Sequence, residues 1–206
     1  MIAIVDYKAG NLTSVKRALD HLGLEGCVTP DPDVVRQAER IIFPGVGHAG
    51  SAMAVLKERG LDQALREAFT RGTPILGTCV GAQVVLSHSE EGDTECLGLI
   101  EGECERFRLD DPSLKVPHMG WNEVRLVQEH PVLQGIPNAS EFYFVHSYFL
   151  RPADPARVLG TSEHGTTFPA IIGQRNLIAT QFHAEKSGPV GLNLLRNFAA
   201  WDGSVC

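Results

Sequence analysis

The residues of this chain that could do chemistry centre on Cys79, in the segment Gly77-Thr78-Cys79-Val80-Gly81. An apolar, strand-like run precedes this segment and a helix-like run over residues 82–86 follows it. A Gly-x-nucleophile-x-Gly turn between a strand and a helix is a nucleophile elbow, which leaves the central side chain exposed. The helix N-terminus favours thiolate over thiol. The pattern predicts a nucleophilic cysteine; the alternative is a buried cysteine that packs like a small apolar side chain.

A cysteine nucleophile needs a base, and the base needs a third group that fixes its tautomer. His183 follows a strand-like run over residues 178–182, and Glu185 lies two positions further on. If the extended geometry persists, both side chains point to the same face, and Glu185 accepts a hydrogen bond from the imidazole. We predict that His183 is the acid/base and Glu185 its orienter. The alternative is a pair of ordinary polar residues at an exposed strand end.

Attack by a thiolate on an amide or ester carbonyl builds negative charge on the oxygen, which backbone N–H groups can stabilise. Val80, the residue after the nucleophile, supplies one such donor. The segment Pro44-Gly45-Val46-Gly47 follows another predicted strand, and we expect the Val46 N–H to be the second donor. Glycines on both sides tolerate either peptide orientation, so the loop could have a donor-out resting form and a donor-in active form. Alternatively, the segment is simply a turn.

The elements that must position these residues alternate between strand and helix in the first half of the chain. This order is typical of an α/β fold with a mostly parallel sheet covered by helices on both faces. Ligands of such sheets bind beyond the carboxyl ends of the strands, where Cys79 and the glycine loop would lie. The predicted strands cover residues 2–5, 24–28, 41–43 and 74–76, and the predicted helices run from an Asn11 cap to Gly23 and over 34–38, 52–59 and 61–71.

The second half of the sequence has a different pattern, with short runs of β-branched and aromatic residues between turns. This pattern predicts an antiparallel β extension. We expect strands over residues 101–107, 123–127, 142–145, 157–161, 169–173 and 177–182, followed by a helix over residues 190–201. No linker or repeat is evident, and 206 residues suit one domain over residues 1–206.

Composition excludes several classes of function. The net charge of −7 argues against a nucleic-acid-binding protein. The five cysteines are odd in number and scattered, and the histidines lack metal-ligand spacing, so we expect neither disulfides nor a metal or other cofactor. The N-terminus lacks the features of a signal peptide, and no apolar run is long enough to span a membrane. The sequence therefore predicts a soluble cytoplasmic protein.

Taken together, these residues resemble the class I, or triad-type, glutamine amidotransferases over essentially the whole chain. The resemblance is strongest to the glutaminase subunits of imidazole glycerol phosphate synthases in histidine biosynthesis. The segments that carry it are Pro44 to Gly47, Pro117-His118-Met119-Gly120-Trp121-Asn122 and Tyr143-Phe144-Val145-His146-Ser147-Tyr148. The implied fold is a single flavodoxin-like domain. The implied activity is hydrolysis of glutamine to glutamate and ammonia through a Cys79-His183-Glu185 triad.

The resemblance also implies further roles. Gly47, Gln83, Ser147 and Tyr148 would contact glutamine, and Val46 and Val80 would form the oxyanion hole. The ammonia would pass to a (β/α)₈-barrel cyclase in a heterodimer, and the cyclase would make imidazole glycerol phosphate and an aminoimidazole carboxamide nucleotide. Trp121 and Lys186 match positions at the subunit contact; alternatively they are a core-packing tryptophan and a solvated lysine.

The chain departs from the family pattern at Ala184, where proline is usual, and we expect a slightly looser strand end there. Val80 and Ala82 are also smaller than the usual residues. Four alternatives remain open: another triad-type glutaminase, such as that of pyridoxal phosphate synthase; a paralogue that feeds ammonia to a different synthase; a thiol peptidase or deglycase; and a non-catalytic flavodoxin-like module.

Overall fold

The computed structural model describes residues 1–8 and 10–204, which form six α-helices and thirteen strands. The helices are α1 (Leu12–His21), α2 (Pro32–Gln37), α3 (Ala49–Glu58), α4 (Leu61–Arg71), α5 (Val80–Gln83) and α6 (Gly188–Ala200). The strands are β1 (Ile2–Val5), β2 (Gly26–Thr29), β3 (Arg40–Phe43), β4 (Ile75–Thr78), β5 (His88–Ser89), β6 (Thr94–Glu95), β7 (Gly102–Arg106), β8 (His118–Leu126), β9 (Ser140–His146), β10 (Tyr148–Pro152), β11 (Val158–Glu163), β12 (Thr167–Gln174) and β13 (Leu177–Thr180).

Nine of these strands form one mixed sheet in the order β2-β1-β3-β4-β13-β12-β11-β8-β9. The strands from β2 to β13 are parallel, and those from β13 to β9 pair antiparallel. The prediction of an α/β fold with a parallel sheet and an antiparallel extension in the second half is confirmed. The other four strands form a smaller sheet in the order β10-β7-β5-β6.

Helices cover both faces of the parallel part because its strands are apolar on both sides. In β1, Ala3 and Val5 pack into a core with α2, α3 and α4, whereas Ile2 and Ile4 pack into a second core with α1 and α6. This alternation follows from the two-residue period of a strand. Together the two cores fix the sheet between two layers of helices.

The carboxyl ends of β3, β4 and β13 are neighbours in the sheet, which brings together three chain segments distant in sequence. The glycine loop follows β3, Cys79 follows β4, and the segment that leads to His183 follows β13. Strand β9 is five places from β4 in strand order, yet its Tyr143 carbonyl accepts a hydrogen bond from the His183 N–H at 2.9 Å. The antiparallel half of the sheet therefore curls back over this edge.

Several predicted elements differ from those observed. Helix α5 is shorter than the run predicted over residues 82–86, because the carbonyls of Val84, Val85 and Leu86 accept hydrogen bonds from the segment 97–99 instead of continuing the helix. Strand β13 ends at Thr180, two residues early, where the Thr180 hydroxyl donates to the Phe182 carbonyl at 3.1 Å.

The predicted end of α1 is confirmed, but the predicted side-chain cap at its N-terminus is not. Gly23 ends the helix as predicted: it has φ +69°, its N–H donates to the Asp20 carbonyl, and the Leu24 N–H donates to the Leu19 carbonyl, which is a Schellman motif. Asn11 occupies the N-cap position, but its side chain turns away from the helix. The prediction of a side-chain cap is therefore wrong, and the side chain has another contact, described below.

Within the described part of the chain, no helix is long and apolar enough to cross a membrane. Cys27, Cys79, Cys96 and Cys104 are free thiols, and Cys206 lies outside the described residues.

Gly81 allows the elbow to pack against the end of β3, and this close approach generates a stability prediction. A Cβ atom at Gly81 would lie 1.9 Å from the Phe43 carbonyl oxygen. We expect Gly81→Ala to lower the free energy of unfolding by at least about 2 kcal/mol, because backbone must move. Gly23→Ala is the matched control. The positive φ of Gly23 is unfavourable for alanine, but a Cβ there would lie in open space, so the substitution should lower the free energy of unfolding by only about 1 kcal/mol. Equal losses in urea unfolding would contradict the packing argument.

Candidate active site

Cys79 lies at the elbow in a conformation that is costly for an L-residue. Its φ is +52° and its ψ −112°, a strained combination of a kind that costs of order 1–3 kcal/mol. Hydrogen bonds hold it there: the Cys79 N–H donates to the Thr180 carbonyl at 2.8 Å, and the Gln83 N–H donates to the Cys79 carbonyl at 3.0 Å. The residue is only 3% exposed, so the thiol faces a cavity and not open solvent.

His183 and Glu185 form a buried pair next to this thiol. Their side chains are 0% and 1% exposed, and the distance from His183 Nδ1 to Glu185 Oε1 is 2.8 Å. The extended geometry expected here is wrong, because Ala184–Lys186 forms a 3₁₀ turn. The turn still brings the carboxylate to Nδ1. Among the described residues, none offers a hydrogen bond to Nε2, which leaves this nitrogen available to Cys79.

The environment of His183 favours the charged imidazolium. Burial alone would lower its pKa, but interactions with the Cys79 side chain and the Glu185 carboxylate outweigh burial and raise the pKa to about 10. The imidazole is therefore coupled to both groups. A protonated imidazole beside a cysteine nucleophile can donate a proton to a leaving group.

The turn at Ala184 is held firmly without the proline that is usual at this position. The Ser187 hydroxyl donates to the His183 carbonyl at 2.6 Å, and the Ser187 N–H donates to the Ala184 carbonyl at 3.1 Å. Gly191 closes the turn from α6, where a Cβ would lie 1.9 Å from the Ala184 carbonyl oxygen. The expectation of a looser strand end finds no support in these contacts.

A cavity of about 360 Å³ opens beside Cys79 and has room for a small metabolite. All the residues predicted to bind substrate or to form the oxyanion hole line it: Val46, Gly47, Val80, Gln83, Ser147 and Tyr148. Sequence reasoning missed four further lining residues, Glu91, Pro117, Val145 and His146. Cys79 is also among the lining residues, and His183 is not.

The glycine loop is in a donor-out arrangement. The Val80 N–H donates to the Gly45 carbonyl at 3.4 Å, so the oxygen of the Gly45-Val46 peptide points at the predicted oxyanion site. The N–H of a trans peptide points opposite to its carbonyl, and the Val46 N–H therefore faces away. Tyr7 packs against this peptide: its buried hydroxyl has no hydrogen-bond partner among the described residues and would lie 2.1 Å from a Cβ at Gly45.

Two polar side chains near the triad were not singled out from the sequence. Asn11, at φ +81°, donates from Nδ2 to Glu185 Oε1, and the same Nδ2 is 3.4 Å from His183 Nδ1. Gln181 is fully buried, and its Nε2 approaches Cys79 Sγ at 4.0 Å. The signal for Gln181 was its place two residues before His183. The contact of Asn11 spans 174 positions and has no local signal.

Trp121 and Lys186 lie together at the surface around Tyr143. The Trp121 residue is 54% exposed, which excludes a core-packing role. Its ring meets the Tyr143 ring edge-on with centroids 6.1 Å apart, and Lys186 Nζ lies 5.8 Å from the centre of the Tyr143 ring. Trp121 also borders a second cavity of about 390 Å³ over β8 and β11, which contains no nucleophile and is separate from the Cys79 cavity.

Residues 1–8 and 10–204 contain no group of three or more His, Cys, Asp or Glu side chains arranged to hold a metal ion.

The elbow, the buried acid/base pair and the mixed sheet together define a class of protein. The family model for glutamine amidotransferase class-I matches residues 3–201, and the chain belongs to this family. A crystal structure of a glutamine amidotransferase superposes with a TM-score of 0.76 at 19% identity, covering 97% of each chain, which supports the fold.

Within the family, the chain is similar over nearly its whole length to one kind of subunit. Imidazole glycerol phosphate synthase subunit HisH of Nitratidesulfovibrio vulgaris (strain DP4) is 53% identical, with 96% of this chain and 95% of the relative covered. The subunit of the same name from Desulfovibrio desulfuricans is 51% identical, with coverages of 96% and 93%.

The two partners of His183 generate a prediction about its titration. Glu185→Gln and Cys79→Ala each remove an interaction that raises the pKa of His183, so each should lower this pKa, by about one unit or more. The pKa is measured from the imidazole chemical shifts of the protein in NMR titrations. Glu91→Gln is the control, because Glu91 lines the same cavity but accepts its hydrogen bond from the Ala49 N–H. A pKa that is the same in all three variants would contradict the coupling.

Proposed function

We propose that this chain is the glutaminase subunit of an imidazole glycerol phosphate synthase. It forms a single domain, hydrolyses glutamine to glutamate and ammonia, and delivers the ammonia to a cyclase subunit in histidine biosynthesis. The observation that carries the proposal is the strained elbow of Cys79, which faces a cavity of suitable size beside the buried His183-Glu185 pair.

In the first half of the reaction, the Cys79 thiolate attacks the side-chain amide carbon of glutamine. The His183 imidazolium gives its proton to the departing nitrogen, the C–N bond breaks, and ammonia leaves a γ-glutamyl thioester on the sulfur. In the second half, neutral His183 takes a proton from water as the water attacks the thioester. Glutamate leaves, the sulfur is again a thiolate, and His183 is again protonated. Glu185 keeps the Nδ1–H in place throughout.

The oxyanion hole of this reaction consists of the Val46 and Val80 N–H groups. In the present arrangement the Val80 N–H donates its hydrogen bond to the Gly45 carbonyl, so it cannot bind an oxyanion and the hole is closed. Rotation of the Gly45-Val46 peptide frees the Val80 N–H and turns the Val46 N–H inward. The positive φ of Gly47, +102°, and the absence of a Cβ at Gly45 give the loop the freedom that this rotation requires.

Glutamine binds in the Cys79 cavity against Gly47, Gln83, Ser147 and Tyr148. The amide of Gln83 is held by two contacts, from its Nε2 to the Tyr148 carbonyl at 3.1 Å and to Gln181 Oε1 at 3.3 Å. These contacts leave the Gln83 Oε1 atom to accept a hydrogen bond from substrate.

The ammonia must reach its acceptor without protonation in bulk water, which requires a partner that seals the site. The proposed partner is a (β/α)₈-barrel cyclase in a heterodimer. The exposed Trp121 and Lys186 suit such a contact, and Met119, 64% exposed, enlarges the apolar surface of β8. The net negative charge argues against nucleic acid as a partner. We also propose that the protein acts in the cytoplasm and does not associate with membranes.

Cys79→Ala tests the nucleophile. We expect the variant to lose glutamine hydrolysis to the background level, because the thioester cannot form, and to assemble with the cyclase as tightly as wild type. Glutamate release and isothermal titration calorimetry measure the two properties. Cys104→Ala is the control, since this buried thiol lies outside the cavity and should leave turnover unchanged. Residual turnover in Cys79→Ala would remove the assignment.

The closed oxyanion hole predicts dependence on the partner. The isolated subunit should turn over glutamine at least about 100-fold more slowly than the complex with the cyclase and its nucleotide ligand, since the loss of one oxyanion donor alone has about this effect. Steady-state glutamate release measures both rates, and formation of the imidazole product identifies the acceptor. Equal rates with and without the cyclase would contradict the switch. Stimulation without the imidazole product would indicate another synthase.

A further inference from the structure

A chain of hydrogen bonds, fully buried at its centre, leads from β8 to the wall of the proposed glutamine cavity. It passes from the Asn122 amide through the rings of His118 and His146 to the Tyr148 carbonyl. The distances are 3.2 Å from Asn122 Nδ2 to His118 Nε2, 3.0 Å from His118 Nδ1 to His146 Nε2, and 2.7 Å from His146 Nδ1 to the Tyr148 oxygen. The two histidines are directly opposite each other in the β8-β9 pair, which explains their contact.

The direction of every bond in this chain is fixed from its ends. The Tyr148 carbonyl can only accept, so His146 carries its proton on Nδ1 and accepts at Nε2. His118 must then donate from Nδ1 and accept at Nε2. Asn122 supplies that donor: its Nδ2 also donates to the Glu163 carbonyl at 2.7 Å, which sets the orientation of the amide. Both histidines are therefore the Nδ1–H tautomer.

This hydrogen-bond chain requires that both imidazole rings are neutral, because a protonated ring has no acceptor atom. Burial lowers the pKa of His118 to about 4 and that of His146 to about 3. The third histidine of the cluster, His164, stacks on His118 with centroids 4.3 Å apart, but its Nε2 contacts the Lys115 carbonyl and it is not part of the chain.

The Tyr148 carbonyl is the point where this chain meets the proposed substrate site. It accepts from His146 Nδ1 and also from Gln83 Nε2 at 3.1 Å. Tyr148, Gln83 and His146 all line the cavity. We propose that Asn122, His118 and His146 are positioning residues that hold the Tyr148 carbonyl, and through it the Gln83 amide, in the geometry that binds glutamine. This inference rests on the proposed function.

The decisive experiment compares two substitutions of His118 in the complex with the cyclase. His118→Phe retains the ring, which packs among Phe107, Phe144 and Phe168, but removes both hydrogen bonds. His118→Asn loses the ring but retains a donor near the position of Nδ1. We expect the KM for glutamine to rise about ten-fold in His118→Phe with little change in kcat, and to be partly restored in His118→Asn. A role in packing alone predicts the opposite order and would overturn the proposal.

Two controls define the specificity of the effect. His164→Phe keeps a ring stacked on His118. Because position 164 is not part of the hydrogen-bond chain, this variant should have the wild-type KM for glutamine. His130→Phe replaces another buried histidine, which accepts from the Val132 N–H far from the cavity, and shows what a comparable loss of stability does to KM. A KM rise in His130→Phe equal to that in His118→Phe would also overturn the proposal.

A measurement without turnover separates this inference from the proposed function. In the ¹⁵N NMR spectra of histidine-labelled wild type at pH 7, His118 and His146 should both have the nitrogen shifts of the neutral Nδ1–H tautomer. An Nε2–H tautomer or an imidazolium at either position would refute the chain of hydrogen bonds, whatever the activity. If the tautomers are as stated but glutamine is not hydrolysed with the cyclase present, the proposed function fails and the hydrogen-bond assignment stands.

Discussion

The whole site depends on the close approach of the elbow backbone to the ends of β3 and β13. Cys79 keeps a φ of +52° only because its N–H is bound to Thr180 and because Gly81 lies against the Phe43 carbonyl. These contacts place the thiol between the glycine loop on one side and His183 on the other. The strain of order 1–3 kcal/mol is offset by the burial of the neighbouring strands in two cores. A larger residue at position 81 would separate the parts that the reaction requires together.

A weak interaction closes the proposed oxyanion hole. The hydrogen bond from Val80 to the Gly45 carbonyl is long, at 3.4 Å, and a protein hydrogen bond contributes only about 1 kcal/mol net. A partner or substrate thus needs little differential binding free energy to shift the loop to the open form. Tyr7 adds to this balance, since its hydroxyl is buried beside Gly45 without a partner among the described residues. A rearrangement of the loop that gives the Tyr7 hydroxyl a hydrogen-bond partner is therefore favoured.

Local patterns in the sequence predicted those parts of the molecule that local physics controls. The helical stretch predicted over residues 61–71 has the bounds of α4, Gly23 ended α1, and short apolar runs placed the parallel strands. The residues that the pattern could not place depend on contacts between distant segments. Asn11 has the signature of a helix cap, but a carboxylate 174 residues away competes for its side chain. The pairing of His118 with His146 likewise required the register of β8 and β9, which no single segment contains.

His183 has one nitrogen for two successive tasks. Nδ1 is committed to Glu185, and the pair is sealed from solvent, so in the proposed reaction the proton for ammonia and the proton from water both pass through Nε2. In that reaction the departing ammonia and the attacking water occupy the position beside Nε2 in turn. Water can be activated only after ammonia has left that position, so in the proposed reaction the release of ammonia precedes hydrolysis of the thioester. The geometry of His183 therefore sets the order of the two departures, and containment of the ammonia is left to the partner that seals the site.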